Sequence, residues 1–122
     1  MILIVAPPGD LQIGLQALLA VLRDVEVLVA AEGPLALEVI ERHAPSLVIL
    51  DDDLPSDGAL PAANQIKARW PEVRCLVLVD DEQQRQRMQE TSADLVLIKG
   101  HPAAKLKAAI EGLLSCEERG RE

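Results

Sequence analysis

The chain has 122 residues and a formal net charge of −8, from 20 acidic against 12 basic residues. That length supports one domain able to bury about two-thirds of the surface of its unfolded form, and the negative balance argues against direct binding of nucleic acid or an anionic membrane. Hydrophobic residues make up 49%, yet Trp70 is the only aromatic, so the core must be built from Leu, Val, Ile and Ala.

Ile2 to Val5 is an unbroken apolar run, which predicts a strand covered on both faces, and Pro7-Pro8-Gly9 ends it. Asp10 is placed to cap a helix whose stripe Leu11, Leu15, Leu18, Leu19 and Leu22 runs to about Arg23. Val25 to Ala30 reads as a second strand. Gly33-Pro34 supplies a turn, and a helix from about Pro34 to His43 follows, which Pro45 breaks.

Leu47 to Leu50 forms the third predicted strand and runs straight into Asp51-Asp52-Asp53, followed by Leu54-Pro55-Ser56-Asp57-Gly58. A helix beginning at Gly58 or Ala59 places Leu60, Ala63, Ile66 and Trp70 near one face, and Pro71 closes it. Trp70 there is a packing residue. Val73 to Val79 is the fourth strand, and Asp80-Asp81-Glu82 caps a polar helix in which Met88 alone offers much apolar surface, so weak packing or a partner is expected there. The three carboxylates of that cap are expected to be solvated.

Leu95 to Ile98 is the fifth strand, ending in Lys99-Gly100-His101-Pro102, and a last helix spans about Ala103 to Leu114. Residues 1–114 form the predicted domain, and 115–122 a charged tail or the start of a linker. Strands alternating with helices require a parallel sheet with right-handed crossovers, and the order 2-1-3-4-5 with helices on both faces, the flavodoxin-like arrangement, is the expected solution. Ligand chemistry in such a sheet belongs at the carboxyl ends of the strands, where Ala6-Pro7, Asp51, Val79-Asp80 and Lys99 fall.

Other candidates are weaker. Cys75 in a strand and Cys116 in the tail read as two reduced thiols. His43 and His101 are too far apart in this topology to form a metal pair. The opening Met1-Ile-Leu-Ile-Val5 is too short for a signal peptide and no stretch approaches a membrane span, so the expected location is cytoplasmic.

From Met1 to about Leu114 the chain resembles the receiver domain of two-component response regulators, the CheY-like fold. The likeness rests on Ile-Leu-Ile-Val in strand one, Leu-Val-Ile-Leu-Asp51 with Leu54-Pro55 and Asp57-Gly58, Trp70-Pro-Glu-Val-Arg-Cys-Leu-Val-Leu78, and Ala93-Asp94 to Ile98-Lys99. It implies that Asp51 is the phosphoacceptor, that the Asp53 backbone carbonyl is a magnesium ligand, and that Lys99 pairs with the carboxylate or the phosphoryl oxygens. Phosphoryl transfer is mostly positioning and charge neutralisation, so these groups must converge.

Other parts of the family pattern are missing. Its acidic pair after strand one falls on Ala6 and Pro7, which have no side-chain oxygen for a cation that demands oxygen ligands. The hydroxyl that ends strand four falls on Val79, the strand-five aromatic falls on Val96, and the loop from Pro55 to Gly58 is one residue short. The expectation is therefore a degenerate receiver, or pseudo-receiver, in signal transduction or transcriptional regulation. It would be independent of phosphorylation, not an enzyme, without a cofactor or a metal, and would act as a protein interaction or dimerisation module.

Its expected partners are a protein or a covalently linked output domain, with homodimerisation through helix four, strand five and helix five, or through helices one and five. The alternative is an active, magnesium-dependent phosphoacceptor in a phosphorelay, with Asp51 and Lys99 as its working residues and Asp51 and the Asp53 carbonyl as metal ligands. A third reading puts a small ligand between Ala6-Pro7 and Asp51.

Overall fold

The computed structural model describes residues 1–21, 25–52, 59–88, 93–99 and 103–120, with the side chains of 88, 103, 104 and 114–120 outside that description. Five strands alternate with five helices: β1 (Ile2–Val5), α1 (Asp10–Leu19), β2 (Val27–Ala30), α2 (Gly33–His43), β3 (Leu47–Asp51), α3 (Ala59–Arg69), β4 (Arg74–Val79), α4 (Glu82–Met88), β5 (Leu95–Ile98) and α5 (Ala103–Gly120). All strand pairings are parallel and the sheet order is β2-β1-β3-β4-β5, as the alternation requires.

The sheet's period of two sorts its side chains into two apolar layers. Leu3, Val5, Val48, Leu50, Val77 and Val79 meet Ala36 and Ile40 of α2 and Ala59, Ala63 and Ile66 of α3. Ile2, Ile4, Ala6, Leu47, Ile49, Leu76 and Leu78 meet Leu15 and Leu19 of α1 and Ile110 of α5. The three inner strands are buried almost throughout, whereas β5 is half-buried along its length. Trp70 packs against the first layer, and the Arg69 guanidinium lies 4.5 Å from the centre of its ring.

Some boundaries differ from the sequence reading. Gly9, not Asp10, is the N-cap of α1, and it offers no side-chain cap. Asp10 is instead the first helical residue, where its charge favours the helix dipole. The helix ends at Leu19, and Leu22 and Arg23 lie outside the described residues. At the other end α5 runs past the expected stop at Leu114 to Gly120. Ser115-Cys-Glu-Glu-Arg contains no proline or glycine, and each further residue adds a hydrogen bond without the nucleation penalty, so the helix propagates until Gly120.

Candidate functional site at the carboxyl ends of the strands

Alternation along each strand decides what meets at this edge. Ile4, Ile49, Leu78 and Leu97 all belong to the layer under α1 and α5. Ala6, Asp51, Asp80 and Lys99 each follow one of them by two positions and so continue on the same side. The register pairs Asp51 with Leu78 and Val79 with Ile98, which brings the ends of β3, β4 and β5 into line. Two amides finish the edge: Asp52 donates to the Leu78 carbonyl at 2.9 Å, and Lys99 donates to the Val79 carbonyl at 2.7 Å.

Asp51 is the buried charged residue among those described, 5% exposed. Its cost of desolvation is met by Lys99, whose Nζ lies 2.5 Å from Asp51 Oδ1. The same ammonium lies 3.2 Å from Asp80 Oδ1. Lys99 therefore bridges two carboxylates, one buried and one half in solvent. The sequence reading sets Asp80 at this edge and in a solvated cap; the structure keeps it half exposed and adds its pairing with Lys99, one step beyond the Val79–Ile98 pair.

The cap of α4 belongs to Asp81, whose Oδ1 accepts from the Gln84 amide at 2.9 Å. Gln84 returns its own side chain to accept from the Asp80 amide at 2.7 Å. One turn on, Arg85 donates to Glu82 and holds that exposed carboxyl below the usual range. None of Glu82 to Arg87 is buried, in keeping with a polar helix, and the Met88 side chain lies outside the described residues.

The positions facing Asp51 across the sheet edge offer little to a cation. Ala6 is fully buried, its amide donates to the Ala30 carbonyl, and its own carbonyl accepts from Gln12 Nε2 at 3.0 Å. Asp52 turns its carboxylate to the first amide of α3, that of Ala59, at 3.4 Å. Asp53 and His101 lie outside the described residues. Among the described residues no cluster of three or more His, Cys, Asp or Glu side chains could hold a metal ion, and a hard divalent ion that needs several oxygens does not fit the donor set described here.

The switch positions of the family pattern are apolar. Val79 is fully buried in the layer under α2 and α3, and Val96 packs against that layer. A cleft of about 230 Å³ lies between α1 and α5 next to Lys99. It is lined by Leu11, Leu15, Leu18, Leu78, Leu97 and Leu106, with Asp10 and Lys99 as its charged members. This is a different place from the pocket anticipated between Ala6-Pro7 and Asp51.

The model of the response regulator receiver domain matches residues 2–111. The chain belongs to that family. Receivers are signalling modules of two-component systems, and this one is similar to the transcriptional regulatory protein DegU of Brevibacillus brevis, 30% identical over 101 residues. Those residues are 80% of this chain and 43% of DegU, so the receiver spans less than half the length of that relative.

Solved structures share the fold. The signal receiver domain of an HD domain-containing protein from Pseudomonas fluorescens superposes with a TM-score of 0.88 at 22% identity, over 98% of this chain and 90% of that one. A putative response regulator from Chloroflexus aurantiacus gives 0.85 at 23% identity, over 93% and 96%. No helix among the described residues is long and apolar enough to cross a membrane.

Proposed function

We propose that this receiver regulates an attached output domain or a protein partner without being phosphorylated, acting as an interaction and dimerisation module of a cytoplasmic signalling protein. The observation that supports this most is Ala6, fully buried and without a side-chain oxygen, followed by Pro7, where an acidic pair would be needed beside Asp51. Removing magnesium's anchoring oxygens removes the neutralisation that phosphoryl transfer needs, while Lys99 satisfies the Asp51 carboxylate. The apolar switch positions, Val79 and Val96, support the same reading.

Dimerisation through α1 and α5 is the arrangement favoured here, because Ile13 on α1 is 62% exposed and the neighbouring cleft is apolar. The test is incubation with magnesium and either acetyl phosphate or beryllofluoride, followed by intact mass and Trp70 fluorescence. Neither readout is expected to change. A saturable, magnesium-dependent response that Asp51→Asn abolishes would replace this reading with that of an active phosphoacceptor.

A further inference from the structure

We propose that Lys99, Asp80 and Gln84 form a polar relay from Asp51 to the first turn of α4. The links are continuous. Asp51 and Asp80 share the Lys99 ammonium at 2.5 and 3.2 Å. The Asp80 amide is held by the Gln84 side chain at 2.7 Å, and the Gln84 amide is held by Asp81 at 2.9 Å.

The far end of this relay is a short helix with no buried residue among those described: α4 has seven residues, and none of Glu82 to Arg87 is buried. A helix shorter than about 12 residues is marginal without tertiary packing, so its entry geometry depends on the polar contacts that seat its first turn. Those contacts begin at Asp80, and Asp80 is tied to the sheet through Lys99.

The near end is sensitive to charge. An ammonium shared between two carboxylates binds each less tightly than it would bind one, so neutralising Asp51 strengthens the hold of Lys99 on Asp80. The fully buried Val79 and the packed Val96 supply no polar path, so the relay runs on the opposite side of β4 from them. Asp80 is thus a positioning residue. The relay does not depend on whether Asp51 accepts a phosphoryl group, and its test uses no phosphodonor.

The experiment is a double-mutant cycle on the whole chain, read by hydrogen exchange at the Gln84 and Arg85 amides. Asp51→Asn is expected to slow exchange there by about threefold, toward the low end of coupling within one hydrogen-bonded network. Asp80→Ala is expected to speed it by a similar factor, and Asp51→Asn should then have no effect on that background. Lys99→Arg should keep the coupling and Lys99→Met abolish it, with Trp70 fluorescence reporting that each variant is folded. An Asp51→Asn effect of equal size with and without Asp80, or no effect on α4 in the otherwise unmodified chain, would overturn the relay.

Discussion

Two lysine–carboxylate pairs lie at opposite ends of one sheet and are built for different work. At the amino end, Lys67 of α3 donates to the carbonyls of Pro71 and Val73, each at 2.9 Å, and to Asp94 Oδ2 at 3.1 Å. Asp94 in turn accepts from the Cys75 amide at 2.8 Å while its own amide donates to the Cys75 carbonyl. This network spends most of its bonds on main-chain groups, with Arg74 adding a second cation 3.4 Å from Asp94 Oδ1, and closes the α3–β4 turn and the start of the β4–β5 ladder. At the carboxyl end, Lys99 joins side chain to side chain across three strand ends. One network finishes the fold; the other joins the ends of β3, β4 and β5 through side chains alone.

The contrast predicts unequal costs. Asp94→Ala takes the carboxylate from Lys67, which keeps its two carbonyl acceptors, and leaves the Cys75 amide without its partner, so a loss of about 2 kcal/mol is expected in denaturant unfolding. Asp51→Asn keeps the shape and an acceptor oxygen, and Asp80 still faces Lys99, so the loss there should be only about 1 kcal/mol. Equal losses at the two ends would erase the distinction.

Cys75 sharpens it through pH. Burial pushes the thiol up to about 12, with Lys67 lowering and Asp94 raising it by smaller amounts. The unfolded chain releases that proton near the ordinary thiol value of about 8.5. Between there and about 12 the native state binds the extra proton, so stability falls as pH rises, by about 1.4 kcal/mol per unit, and is flat in this respect below that window. Unfolding free energies from pH 8 to about 10.5, compared with those of Cys75→Ala, isolate the slope. A Cys116→Ser background removes the other thiol, and the native Cys75 should be silent to thiol reagents at neutral pH.

The two ends also differ in how far they were legible in the sequence. Sheet order, helix count and both apolar layers follow from runs such as Ile2–Val5 and from the stripe of α1, because burial dictates that pattern. Asp51 and Lys99 stand out as charges at strand ends. Gln12, which caps the Ala6 carbonyl, and Asp52, which meets the Ala59 amide, were invisible because a polar residue in a loop or a first helical turn has many candidate partners. Lys67 with Asp94 was missed for a related reason. Its members are 27 residues apart, and only the register of β4 against β5 brings them together.

One residue at the amino end lacks the local fit shown by its neighbours. Ala44 ends α2 with φ 46° and ψ 62°, a left-handed conformation that glycine normally occupies, and donates its amide to the Ile40 carbonyl at 2.9 Å. The Cβ penalty there is about 1 kcal/mol, and the buried Pro45 that follows restricts the same residue further. Glycine removes the clash but adds freedom to the unfolded chain. Ala44→Gly should therefore stabilise by about 0.5 kcal/mol, with Ala44→Asn between the two and Ala44→Val worse than either. Thermal midpoints in that order would show that the turn is held against its own preference by the packing around it, whereas a destabilised glycine variant would mean that the entropy of the unfolded chain outweighs the strain.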